Sequence, residues 1–139
     1  MRRRGFTLVE YTAALTIMVV IAGLASARMS RSALGTRENA LRAELATVRT
    51  ALGNYVSDNQ CWPASLSDLT VTRAPDNGFA ADGTTTVTID SRVWRGPYLR
   101  QLVNDPISGT SFTYLPGRSG YIRSSATGTD SNGVSYTAY

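Results

Sequence analysis

Hydrophobic positions change their rhythm twice along the chain. From Tyr11 to Ala25 the residues are mostly Leu, Ile, Val, Met and Ala, and between Arg4 and Arg28 only Glu10 and Tyr11 can ionise. This unbroken run has the length of a transmembrane helix. At a rise of about 1.5 Å per residue, residues 6–27 cover the roughly 30 Å of a hydrocarbon core with little margin. Arg2, Arg3 and Arg4 place the preceding end in the cytoplasm by the positive-inside bias.

After Ala27 the pattern turns amphipathic. Leu34, Leu41, Leu45, Val48, Leu52, Tyr55 and Val56 recur at spacings that put them on one helical face. Arg31, Arg37, Glu38, Arg42, Glu44 and Arg49 fall mostly elsewhere, and Glu38 with Arg42 forms an i,i+4 pair in the favourable order. No proline stands between Phe6 and Tyr55, so the pattern predicts one helix from Phe6 to Ser57, about 75–80 Å long. Its second half is expected to lie on a sheet. A coiled coil is the competing use of the stripe, and Gly35 and Gly53 weigh against it. Ala22, Gly23, Ser26 and Ala27 suit close helix approach, or simply tolerance of small residues in lipid.

The third rhythm begins at Asp58-Asn59-Gln60. Pro63 to Leu69 reads as a short helical turn with Pro63 in its first position, and residues 70–83 read as a surface loop. Residues 84–90, 111–115, 120–124 and 134–139 are short Thr/Tyr/Val-rich runs, expected to be antiparallel strands. The predicted fold is α+β: a long N-terminal helix, half membrane or core element and half amphipathic, packed on a small antiparallel sheet of three or four strands. The expected divisions are residues 1–5, 6–27, 28–57 and 58–139.

Composition removes several chemistries. The chain has 139 residues, with 14 arginines, no lysine, no histidine, one cysteine and 10 acidic residues. Within one chain this leaves no Cys/His zinc centre, no Ser-His-Asp triad and no Cys-His dyad. The missing lysine removes a P-loop lysine and a Schiff base. No two carboxylates stand in a catalytic context, and Asp68, Asp76, Asp82, Asp90 and Asp105 read as turn and capping residues. The expectation is a protein that is not an enzyme.

The basic start and apolar stretch would also suit an ordinary secretory signal, cut after Ala25 or Ala27. Glu10 argues against it, because a carboxylate in lipid costs a few kcal/mol and by default marks a site with a partner. Arg4-Gly5-Phe6-Thr7-Leu8-Val9-Glu10, running straight into the apolar helix, resembles the class III signal of type IV pilins and type II secretion pseudopilins. Asn54-Tyr55 to Asp58-Asn59, then Trp62-Pro63 and Leu66 to Leu69, is similar to the helix end and turn of major pseudopilins. So is Gly96-Pro97-Tyr98-Leu99 with Asn104-Asp105-Pro106 and Phe112-x-Tyr114. Many members carry a proline near the position of Ala27; this chain has none. Tyr11 after Glu10 also resembles the shorter tight-adherence pilins.

The resemblance implies a filament subunit. A prepilin peptidase would cut after Gly5 and methylate Phe6, and the carboxylate of Glu10 would meet the amine of a neighbour's Phe6 during assembly. An unpaired charge in an apolar filament core is costly, so that pairing would favour correct register. The implied partners are further copies of the chain, the peptidase, an inner-membrane assembly platform with its ATPase, and minor pilins or pseudopilins. The implied location is the inner membrane, single-pass with a periplasmic head, and then a periplasmic or extracellular filament.

Such a filament serves protein secretion in the pseudopilus version and adhesion, motility or DNA uptake in the pilus version. Cleavage would leave 11 arginines against 10 acidic residues, so overall charge gives little support to nucleic acid as a partner. A membrane-anchored DNA-binding module using Arg73, Arg92, Arg95, Arg100, Arg118 or Arg123 is the alternative of another class. Major pseudopilins bind calcium in a C-terminal loop. Here Thr129 to Gly133 offers oxygen ligands but one carboxylate, and Asn132-Gly133 also reads as a tight turn. Cys61 stands alone and reads as a small buried residue.

Overall fold

The first proline of the chain is Pro63, so no missing N–H or ring clash interrupts a helix before it. In the computed structural model, which describes residues 7–117 and 121–139, α1 runs Leu8–Asn59. A 3-10 turn follows at Leu66–Leu69, then strands β1 (Asn77–Phe79), β2 (Thr86–Thr88), β3 (Thr113–Leu115) and β4 (Tyr121–Arg123), and a second 3-10 turn at Tyr136–Ala138. The class is α+β. The chain divides into two compact units, residues 1–36 and 37–139.

In the first unit the described side chains have almost nothing of their own chain to pack on. Ile17, Met18, Val19, Val20, Ile21 and Leu24 are all exposed, Val19 by 71%. Successive residues point about 100° apart, so this run is apolar around its whole circumference. Among the described residues no helix is long and apolar enough to cross a membrane. The expected span 6–27 also takes in Phe6 and the side chains of residues 25–27, which lie outside the described residues.

The second unit holds the core. Leu41, Leu45, Val48, Leu52 and Tyr55 are 0–2% exposed and alternate steps of four and three, which keeps them on one face of α1. Each contributes about 1.5–3 kcal/mol through burial. Leu69, Ile89, Phe112, Ile122, Ala126 and Tyr136 complete the core from the rest of the chain. Leu34, expected on the same stripe, is 43% exposed and belongs to the first unit.

Polar groups close the end of α1, two residues beyond the expected Ser57. Gln60 takes a left-handed conformation (φ 56°) and its N–H still reaches the Val56 carbonyl at 2.9 Å. The Asn59 and Gln60 amides donate to the carbonyls of Tyr55 and Ser57. These bonds satisfy acceptors that a helix end would otherwise leave open.

The single sheet of three or four strands is not what forms. β1 pairs with β2 and β3 with β4, giving two separate antiparallel ladders registered at Gly78↔Val87 and Tyr114↔Ile122. β1 falls inside the expected surface loop 70–83. It is held from outside that loop, because Trp62 and Phe79 exchange backbone bonds of 2.6 and 2.7 Å. The expected strand 134–139 is instead a 3-10 turn after an isolated bridge between Thr129 and Ser135. A strand would send Tyr136 and Tyr139 to opposite faces, whereas a 3-10 turn eclipses positions three apart and turns both toward the polar groups of α1. Pro63 likewise does not open its turn. Ser65 is the N-cap, and Asp68 accepts from the Ser65 N–H at 2.9 Å and the Ser65 hydroxyl at 3.2 Å.

Candidate functional site

Gly5 and Phe6 lie outside the described residues; Glu10 lies in the first turn of α1. Its Oε2 accepts from the Thr7 N–H at 2.9 Å and the Thr7 hydroxyl at 3.0 Å, while the Glu10 N–H donates to Thr7 Oγ1 at 3.3 Å. Thr7 and Glu10 are thus the two ends of a capping box, in which residues three apart satisfy each other's orphan donors. Thr-x-x-Glu ahead of an apolar run is a signature of that motif, so this role of Thr7 was legible in the letters. One carboxylate oxygen serves the cap. The other, Oε1, has no partner among the described residues.

In the head a polar cluster ties the C-terminal segment to α1. Asp130 Oδ2 accepts from Arg42 at 2.9 Å and from the Tyr139 hydroxyl, and its Oδ1 accepts from the N–H groups of Asn132 and Val134, each at 2.8 Å. Arg42 also donates to the Tyr139 hydroxyl, and its guanidinium lies 5.0 Å from the centroid of that ring. The Tyr139 hydroxyl, more than burial opposes, holds the Asp130 carboxyl down at about 2. Glu38 is 3% exposed. Its carboxylate receives Ser131 N–H at 2.9 Å, Ser131 hydroxyl at 2.6 Å and Tyr136 hydroxyl at 3.2 Å. Ser131 chiefly lowers the Glu38 pKa.

This arrangement revises one expectation and bears on one reading that the sequence left open. Arg42 pairs with Asp130, 88 positions away, rather than with Glu38 on its own helix. Glu38 goes instead to hydroxyl and N–H donors. The calcium reading of the loop meets a carboxylate already committed: both oxygens of Asp130 accept from N–H, O–H or guanidinium donors, and a metal ion would have to displace Arg42. The residues do not fit that ion. Among the described residues no three His, Cys, Asp or Glu side chains gather as metal ligands. The loop is a tight turn, with Gly133 at φ 81° and its N–H on the Asp130 carbonyl at 3.0 Å. Glycine is the residue that takes such an angle without strain.

The segments of the second resemblance fold around two centres. Tyr55, Trp94 and Tyr98 form a three-way edge-to-face cluster with centroids 5.2–5.7 Å apart. The N–H groups of Tyr98 and Leu99, after a cis Gly96–Pro97 bond, both donate to the Leu69 carbonyl. Asp105 is fully buried. It accepts from the N–H groups of Ile107 (2.7 Å), Ser108 (3.3 Å) and Ser125 (3.0 Å) and from the Ser124 hydroxyl. Burial pushes its pKa up, but Ser124 and the three N–H groups outweigh burial and the net shift is downward.

Cys61 is buried and free, and burial raises its thiol pKa. Asp68, Asp82 and Asp90 accept from backbone N–H groups of their own turns, as their turn-rich surroundings suggest. A cleft of about 390 Å³ opens beside the first 3-10 turn, its lining including Leu66, Leu102, Phe112, Tyr114 and three serines, Ser65, Ser67 and Ser111.

Comparison of the chain with protein-family models, with curated proteins and with solved structures returns no match.

Proposed function

We propose that this protein is a structural subunit of a type IV pilus-like filament, of the major-pseudopilin kind that serves type II protein secretion, and not an enzyme. The precursor sits in the inner membrane with its head in the periplasm, is cut after Gly5, methylated at Phe6 and polymerised through its N-terminal helices. The observation that carries the reading is the start of α1. A helical stretch apolar on every side, with its side chains exposed, needs lipid or neighbouring helices around it, and the Arg-Gly-Phe-Thr-Leu-Val-Glu signature stands directly before it. The head would be carried on the outside of the fibre, where its function is mechanical.

In this reading Glu10 works twice. Oε2 caps its own helix through Thr7, and Oε1 is left for the amine of a neighbouring copy's Phe6. A cap contributes about 1 kcal/mol, less than the cost of a carboxylate in lipid, so capping alone does not account for a charge at this position.

The two roles separate by substitution. Gln at position 10 can still accept from Thr7, whereas Ala cannot. Glu10→Ala and Glu10→Gln are both expected to be processed normally and both to lose at least about tenfold in sheared filament yield, the scale of one lost charge pair. Normal filaments from Glu10→Gln would reduce Glu10 to a cap. Gly5→Leu should leave the precursor at its full mass in mass spectrometry, and a shortened, polymerising product of that variant would overturn the assignment.

A further inference from the structure

Nine arginines and nine acidic residues occupy residues 37–139, so the head has no excess charge to spread evenly over its surface. The distribution is uneven. Arg92, Arg95 and Arg100 stand on one loop, all exposed, and none makes an ion pair or a side-chain hydrogen bond among the described residues. Arg73 is exposed too, and it follows by four residues Leu69, whose carbonyl takes the Tyr98 and Leu99 N–H groups.

The nearby carboxylates are mostly engaged: Asp58 accepts the Tyr98 hydroxyl at 3.1 Å, and Asp90 accepts the Arg92 backbone N–H at 2.9 Å. Asp76 remains as the one local acid without a side-chain partner among the described residues. The loop carrying the arginines is fixed rather than loose, since Trp94 and Tyr98 turn inward to Tyr55 between the outward Arg92, Arg95 and Arg100. A loop whose backbone is already fixed loses less entropy on binding.

We infer that Arg73, Arg92, Arg95 and Arg100 form a docking surface for a protein partner that presents aspartates or glutamates around an apolar contact. Charge complementarity selects an acidic partner. Val71 and Val93, 36% and 45% exposed among these arginines, select a polypeptide over a phosphate backbone, which gains nothing from aliphatic neighbours. The aromatic rings of the loop are packed on one another, so no base could stack on them as single-stranded nucleic acid requires. Arginine beside exposed aliphatic groups is the composition of interface centres, and its planar fork suits carboxylates.

The test uses the full chain in neutral-detergent micelles and a fluorescent peptide of alternating Glu and Leu, read by anisotropy. Wild type should bind, and raising salt from about 50 to 300 mM should weaken binding as screening shortens the reach of the charges. The triple change R92A/R95A/R100A should weaken it about tenfold or more, and R92K/R95K/R100K should recover part of the loss, because charge returns without the fork. An unaltered near-ultraviolet Trp signal shows that the loop of the variants stays folded. Equal binding by wild type and the alanine variant overturns the inference. So does tighter binding of a 20-base-pair duplex DNA than of the peptide, or sedimentation showing that the same substitutions abolish self-association, which would make a second copy the partner.

Discussion

Among the described residues, hydrogen-bond donors are what keep the buried Asp105 carboxylate charged: three N–H groups and the Ser124 hydroxyl. The same bonds fasten the turn after Asn104 to the strand end at Ser124 and Ser125. Removing the acceptor would strand several buried donors at about 1–3 kcal/mol each, partly relieved by water. Asp105→Ala is therefore expected to destabilise the head by roughly 3 kcal/mol, read as a lower urea midpoint. A loss below about 0.5 kcal/mol would mean that the donors find other partners. Asp105-Pro106 announces a turn in the sequence. That the carboxylate would be buried depends on Ser124 and Ser125, some twenty positions on, and no local pattern encodes that meeting. Arg42 teaches the same lesson, since its helix neighbour Glu38 is close in sequence while Asp130 has the better-placed carboxylate.

Among the elements, α1 is the most legible. Its apolar run, heptad-like stripe and lack of proline are all local, and its Thr7–Glu10 cap is spelled within four residues. The strands are the least legible, because each is three residues long and stabilised by what lies across from it. β1 makes the point. A Cβ on Gly78 would come within 2.6 Å of the Trp62 carbonyl oxygen and 2.7 Å of Cys61 Sγ, so glycine is what lets this strand approach the segment after α1. Gly78→Ala should cost about 2–3 kcal/mol in urea or thermal unfolding as the Trp62–Phe79 bonds are pushed apart. Gly53→Ala is the matched control. Nothing lies within 4 Å of its Cβ, and a helix interior prefers alanine, so stability should rise by about 0.5–1 kcal/mol. Equal effects at the two sites would remove the packing argument for β1.

At the scale of the molecule, ionisable groups set a pH window. Asp105, Asp130 and Glu38 have lowered pKa values in the fold, so they stabilise it above the unfolded carboxylate range near 4, and that contribution disappears as pH falls through their folded values. Tyr55 and Tyr114 are pushed up, first by burial, so they stabilise the neutral form below about 10 and that contribution disappears as pH rises beyond it. Thermal midpoints should be flat between about pH 6 and 8, fall below about 4.5 and fall again above about 10. An acid limb unaltered in the Asp130→Asn, Glu38→Gln double variant would show that the C-terminal cluster contributes nothing to it.

By itself the sequence determined the apolar and amphipathic stretches of α1, the excluded chemistries and the signature around Gly5, Phe6 and Glu10, because each depends on neighbours within a few turns of one helix or on composition alone. Tertiary structure decided that the strands split into two ladders, that residues 136–139 turn both tyrosines toward α1, and that Asp130 meets the Arg42 guanidinium instead of a metal ion. Those outcomes are contests between partners far apart in the chain. Burial and donor geometry settle them, and neither exists until the chain has folded.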